Sequence, residues 1–219
     1  MARLPRLVLP GHAHYVIQRG HSGQPVFADD DDRRVFLAAL REAAAEQRVA
    51  LHAYALPDNE IQLLATPPGA AALSLTMQAL GRRYVGAYNS RHGRSGTLWD
   101  GRFRCAVVEP GAWLLAALRL VDGQAGLSSA AHRTGGARDP LISDPPELFR
   151  LGNTPFEREA VYRTLLVQGV SPVEAASMRE AALGGWAIGS AEFLRRIAAD
   201  TDRPLRPRAR GRPARAAKA

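Results

Sequence analysis

The sequence predicts an α+β fold in which helices pack on an antiparallel sheet, and three observations point to it. Strand-type and helix-type patterns follow one another as β-α-β-β-α-β-α over residues 13–121. Two strand-type runs are separated by a short turn containing Asp58-Asn59, a connection that antiparallel neighbours permit. The two longest periodic segments each carry one apolar stripe, so each covers one surface rather than standing alone.

The elements can be justified in order. A leader bounded by prolines precedes residues 13–19, where His14, Tyr15, Val16, Ile17 and Gln18 form a β-type stretch that stops at Gly20. The acidic run Asp29 to Asp32 offers N-caps for a helix to about Gln47, and its negative charge complements the helix dipole. Val35, Phe36, Ala39, Leu40, Ala43 and Ala44 recur there at helical spacing. Residues 49–56 alternate as a half-buried strand, with His52 and Tyr54 between the apolar positions, and 61–66 is the returning strand. Pro67-Pro68-Gly69 ends it. From Ala71 to about Arg91, Leu73, Met77, Leu80, Tyr84 and Tyr88 form one buried stripe. Residues 97–108 read as extended, and Pro110 opens a helix to about Val121.

After Gly123 the composition shifts to Gly, Ser, Pro and Arg, which reads as a connector over 123–153. A helical segment follows over 154–202. Thr154-Pro155 opens one helix, and Ser171-Pro172-Val173-Glu174 is a capping box with proline at the first helical position. Gly184-Gly185 closes that second helix, and Ser190 caps a last short one. From Arg203 to residue 219 the composition is that of a disordered basic tail. Residues 1–122 form the main domain in this division.

Charge is concentrated rather than spread. The tail holds seven of the 29 cations and no acid, which leaves 22 cations against 21 acids over residues 1–202. Within that body, residues 81–105 carry six arginines against Asp100 alone. Such a cluster points to a polyanionic partner. The single Cys105 excludes an internal disulfide framework and a cysteine metal site. No apolar run reaches the eighteen or so residues of a membrane span, and Met1-Ala2-Arg3-Leu4-Pro5 lacks the apolar stretch of a secretory signal, so the expectation is a cytoplasmic protein with no membrane partner.

Several spaced stretches resemble one family. They are Tyr15-Val16-Ile17-Gln18-Arg19-Gly20, Ala53-Tyr54-Ala55-Leu56, Arg82-Arg83-Tyr84-Val85 with Tyr88-Asn89, and the block from Arg91 to Phe103, which reads RHGRSGTLWDGRF. Gly185-Trp186-Ala187-Ile188-Gly189-Ser190 and the ending Arg210-Gly211-Arg212-Pro213 extend the match. Together they resemble the REP-associated tyrosine transposases, relatives of the small insertion-sequence transposases that cut single-stranded DNA. The resemblance implies a palm of antiparallel strands in ferredoxin-like order. It also implies a His-hydrophobic-His pair that holds a divalent metal against the scissile phosphate, and a tyrosine on a later helix that becomes joined to the DNA.

The chain departs from that pattern at the positions expected to carry the chemistry. Glu60 and Gln62 stand where the two histidines belong, and Leu120 stands where the nucleophilic tyrosine belongs. No metal or cofactor is expected on this reading. Mg²⁺ or Mn²⁺ would enter only if Glu60, Gln62 and a relocated tyrosine, with Tyr84 and Tyr88 as fallbacks, still cut and join strands. Spacing favours core packing for both tyrosines, and a strand-edge or surface place for His12 and His14. Trp99 and Phe103 share a strand face and suit either base stacking or core burial.

The DNA-contacting residues expected are Arg19, Arg82, Arg83, Arg91, Arg94, Arg102 and Arg104, with Arg210 and Arg212 in the tail. Guanidinium groups fork onto phosphates, and the interleaved Gly93, Gly96 and Gly101 let backbone approach closely. The function expected is a DNA-binding protein for single-stranded or hairpin DNA without strand transfer. The alternatives are an active transposase working through a tyrosine–DNA intermediate, and a folded remnant serving protein contacts.

Overall fold

The computed structural model describes residues 5–207. The elements run β1 (Ala13–Arg19), α1 (Asp30–Glu46), β2 (Ala50–Leu56), β3 (Glu60–Thr66), α2 (Ala72–Arg91), β4 (Arg104–Val108) and α3 (Ala112–Asp122). Then come β5 (Leu127–Ser128), α4 (Ala130–Arg133), α5 (Pro146–Phe149), α6 (Pro155–Gln168), α7 (Pro172–Gly184) and α8 (Ala191–Ile197). The strands form one sheet in the order β4-β1-β3-β2-β5, with every pairing of neighbouring strands antiparallel. The first four have the ferredoxin-like order that a β-α-β-β-α-β path produces. No helix among the described residues is long and apolar enough to cross a membrane.

Helices cover both faces of the sheet. On one face α1 and α2 bring Phe36, Leu40, Leu73, Leu80 and Tyr84 against Val16, Ile61 and Leu63. On the other, α3, α6 and α7 bring Ala117, Leu118, Tyr162 and Met178 against Tyr15, Ile17 and Leu64. This second layer corrects the half-buried reading of the β2 sequence: every residue from Leu51 to Leu56 is buried. His52, which alternation would expose, hydrogen-bonds Thr66 Oγ1 at 2.8 Å and the Ser143 carbonyl at 2.7 Å.

Capping fixes the helix starts as the sequence indicates. The Asp29 carboxylate accepts from the Asp32 amide at 3.0 Å, and the Asp32 carboxylate reaches back to the Ala28 amide at 2.8 Å. Thr154 and Glu157 form a reciprocal box at α6, and Ser171 and Ser190 cap α7 and α8.

Three further expectations are corrected. Residues 97–103 are not strand. Gly96 and Gly101 take positive φ, and only Trp99 bridges to the sheet region, opposite Gly20. Residues 123–153, read as a connector, contain short elements and are tied to the body by a few buried side chains, Ser129, Arg133, Glu147 and Leu148 among them. They supply β5, α4 and α5, and Asp122 accepts from Ser129, Arg133 and Tyr162 at 2.6, 2.7 and 2.6 Å. The start of the tail is also anchored: Arg203 donates to the carbonyls of Pro5 and Gly185, both at 2.6 Å, and Leu205 packs on the α8 cluster.

Of the histidine pair, His14 is fully buried. Its Nε2 accepts from the Leu9 amide at 3.2 Å and its Nδ1 lies 2.8 Å from the His12 carbonyl. Burial pushes its pKa down to about 4.

Candidate active site and nucleic-acid interface

Residues 60, 62 and 64 of β3 point to one side of the sheet, because alternate strand residues share a face. Leu64 packs in the core under α3 and α7, so Glu60 and Gln62 face those helices. What meets them there is Arg179 of α7, whose Nη1 and Nη2 donate to Glu60 Oε1 and Oε2 at 2.7 and 2.6 Å. The pair is bidentate, the strongest guanidinium–carboxylate arrangement. Glu60 is 7 % exposed, so the interaction is poorly screened.

Gln62 completes the network. Its Nε2 donates to Glu60 Oε1 at 2.6 Å and to Gln124 Oε1 at 3.2 Å, while its Oε1 accepts from the Tyr15 hydroxyl at 2.6 Å. A glutamine can donate twice and accept at once, which a neutral imidazole cannot. Gln124 in turn donates to the Leu120 carbonyl at 2.8 Å. The three positions where the resemblance places chemistry are thereby joined in one hydrogen-bonded chain, Arg179–Glu60–Gln62–Gln124–Leu120. Leu120 itself packs partly buried against the core.

The sequence resemblance implies a divalent metal at the positions of Glu60 and Gln62, and the donor set decides whether they fit one. Both Glu60 oxygens accept from a guanidinium, and the Gln62 oxygen accepts from a hydroxyl. A dication would have to approach a carboxylate already neutralised by Arg179 and would be repelled by it. The residues as arranged do not fit the metal. No group of three or more His, Cys, Asp or Glu among the described residues could hold one elsewhere.

Tyr84 and Tyr88 lie on the far face of the sheet, in the α1–α2 core, so the sheet stands between them and Glu60. The Tyr84 hydroxyl donates to the Val26 carbonyl at 2.5 Å, and burial raises its pKa. Neither ring is positioned to act on a phosphate held at Glu60. Tyr15 is on the correct face, but its hydroxyl is committed to Gln62 and burial raises its pKa despite nearby Arg179.

The arginines divide into two groups. Arg91 is forked onto the N-terminus of α1, donating to Asp29 at 2.6 and 2.7 Å and to Asp32 at 2.6 Å. That bond holds the Asp29 carboxyl down at about 2. Arg83 pairs with Glu42 and Glu46, and Arg19 lies 3.9 Å from Asp100. Arg82, Arg102 and Arg104 are exposed and make no ion pair among the described residues. Arg94 lies over the Tyr88 ring at 5.6 Å. Arg210 and Arg212 lie outside the described residues.

Arg82 and Arg102 flank a cleft of about 470 Å³ between α2 and the 99–103 segment, with Gln18, Gln78, Trp99 and Phe103 in its walls. The Trp99 indole Nε1 is buried without an acceptor, and a Cβ at Gly81 would stand 4.0 Å from it. A larger hollow of about 650 Å³ beside α4–α6 shares no residue with this cleft or with the Glu60 network.

Sequence reasoning missed Arg179, Tyr15 and Gln124 as members of the site. Arg179 is 119 residues from Glu60 and carries no local signal. Tyr15 could have been found from the alternation that puts it on the same strand face as Ile17.

No family model and no curated protein matches this sequence. Among solved structures, the chain is similar to a REP-associated tyrosine transposase bound to a REP hairpin. That likeness has a TM-score of 0.51 at 9% identity and covers 67% of this chain and 93% of the other. A protein from Deinococcus radiodurans described as a candidate transposase covers 50% of this chain and 88% of its own at 18% identity. Its TM-score of 0.38 is too low to carry an argument. Sheet order, helical layers and structural likeness agree that this chain has the fold of the REP-associated tyrosine transposases.

Proposed function

We propose that this protein binds single-stranded or hairpin DNA through the arginine- and glycine-rich segment around Arg82, Arg94, Arg102 and Arg104, and does not cut or join strands. One contrast carries the reading: the cleft beside Arg82 and Arg102 is open, while Glu60, Gln62 and Leu120 are tied to each other and to Arg179. Exposed guanidinium groups give phosphate contacts, while Trp99 and Phe103, which the sequence left open between base stacking and core burial, are buried in the α2 core and only shape the wall of the cleft. The similar transposase of known structure was solved on a REP hairpin, which supports the class of partner. Arg83 and Arg91 then act as positioning residues, Arg83 tying α2 to Glu42 and Glu46 at the end of α1 and Arg91 tying it to the acidic start of α1, rather than touching DNA.

The test is fluorescence anisotropy with a labelled hairpin and a labelled unstructured strand at low salt. Arg82→Ala and Arg102→Ala should each weaken binding several-fold, and together by more than tenfold. Arg83→Ala should leave affinity for DNA within about twofold while lowering stability. Absence of binding to either probe would overturn the proposal and move the protein to the class of folded remnants that serve protein contacts.

A further inference from the structure

Beside the Arg82–Arg102 cleft lies a smaller pocket of about 50 Å³. It is walled by Arg6, by Arg102 and Arg104 at the start of β4, and by Gly184, Gly185 and Arg203 of the C-terminal segment. No acidic residue lines it. Arg102 and Arg104 are exposed, and neither they nor Arg203 make an ion pair among the described residues. Arg203 is held in place: its Nη1 and Nη2 donate to the Pro5 and Gly185 carbonyls, both at 2.6 Å, and its Nε is buried without an acceptor. A Cβ at Gly185 would stand 2.8 Å from Arg203 Nη2, so the guanidinium rests on bare backbone. Burial pushes the Arg203 pKa down.

Elsewhere in the chain the arginines drawn into the body face carboxylates, Arg91 on Asp29, Arg133 on Asp122 and Arg179 on Glu60. Here the guanidinium charge gathers with no carboxylate among it, and charge taken from water calls for an anion. Size narrows the choice. One water needs about 10–15 Å³ of such space, so the pocket has room for roughly three to five, which suits one phosphoryl group and excludes a base. Guanidinium groups fork onto phosphoryl oxygens in pairs of parallel hydrogen bonds. Arg6, Arg102 and Phe103 line both the pocket and the cleft, so a strand lying in the cleft brings a phosphate to the pocket. We infer that Arg102, Arg104 and Arg203 form a pocket for one phosphoryl group of a DNA strand bound in the cleft, completed by the C-terminal segment. Only the source of the phosphate rests on the preceding reading.

The experiment uses the full chain, with inorganic phosphate as the probe. Thermal unfolding is followed in rising millimolar phosphate against chloride of equal ionic strength. Phosphate should raise Tm saturably, by about 3 °C or more at tenfold above its Kd, whereas general exclusion from the protein surface does not saturate. Arg104→Ala and Arg203→Gln should each lose most of that rise, measured against the same variant in chloride. Arg82→Ala, in the cleft but outside the pocket, should keep it. The inference is overturned if the unmodified chain shows no saturable rise, or if Arg104→Ala keeps the full rise; Arg104→Ala decides alone should Arg203→Gln fail to fold. Anisotropy with a labelled strand tests the source. Phosphate should displace the strand several-fold more than chloride of equal ionic strength, and Arg104→Ala should remove the excess. Displacement no greater than by chloride overturns the assignment to a strand phosphate. A saturable, Arg104-dependent rise in a chain that binds no strand overturns the DNA reading instead and leaves the pocket to free phosphate.

Discussion

Replacing Asp122 with asparagine should cost about 4 kcal/mol of stability, a large share of the 5–15 kcal/mol typical of a folded domain. Asp122 closes α3 and is 3% exposed. Its Oδ2 accepts from Arg133 Nη1 at 2.7 Å and from the Tyr162 hydroxyl at 2.6 Å, and its Oδ1 accepts from Ser129 Oγ at 2.6 Å. The Arg133 side chain is 2% exposed, and its Nε and Nη2 already lack hydrogen-bond partners, so it cannot turn to water for compensation. An asparagine in place of Asp122 would keep one acceptor but turn an amide N–H toward donors. It would also leave a buried guanidinium charged and opposed by Asp144 alone, 3.4 Å away. Breaking a buried pair from one side costs about 3–5 kcal/mol. For a chain of this size that is a fall of about 10 °C in Tm. Urea unfolding at neutral pH measures it. The double variant Asp122→Asn/Arg133→Met should recover much of the loss, giving a coupling of about 2 kcal/mol or more. A single-variant loss below about 1 kcal/mol, or strict additivity in the double variant, would refute the claim that residues 123–153 are fastened into the core by this network.

Three other outcomes follow from the same geometry. His14 is neutral when folded, with its pKa moved from 6.5 to about 4 by burial, so its stabilising contribution is complete above about pH 6.5 and is lost as pH falls toward 4. The full loss is on the order of 3 kcal/mol, and His14→Gln should flatten that part of the pH–stability curve. Gly20→Ala should destabilise by roughly 1–3 kcal/mol or more, because a Cβ there would meet the Gln24 carbonyl oxygen at 2.0 Å; an unchanged urea midpoint would contradict it. If Arg102 contacts a phosphate of single-stranded DNA, Arg102→Ala should reduce the slope of log K against log salt by about 0.7, and an unchanged slope would remove Arg102 from the interface.

Much of the fold was legible because it rests on local periodicity. The α2 stripe through Leu73, Met77, Leu80, Tyr84 and Tyr88 is buried as spacing requires, and that alone placed the two fallback tyrosines in the core. The β-α-β-β-α-β-α order was readable for the same reason. What escaped was non-local. Residues 50–56 look half-polar, and only a second helical layer, assembled from distant α3, α6 and α7, buries the other face. Asp122-Gly123 reads as the end of a helix, and nothing nearby announces Arg133 or Tyr162. At the site, Glu60 and Gln62 were found by position, but the reason they occur together lies in Arg179. The density of arginine at 82–104 was visible; that Arg83 and Arg91 face carboxylates of α1 was not.

One titration bears most directly on the central claim that this transposase fold holds DNA without strand chemistry. A labelled REP-type hairpin and a labelled single strand are titrated by anisotropy at low salt, in EDTA and again in MgCl₂, and each end point is run under denaturing conditions. The account predicts binding that Mg²⁺ does not strengthen, weakening only as competition for the phosphates requires, and full release of DNA on denaturation. A metal-dependent, denaturation-resistant adduct joined through a tyrosine would contradict it.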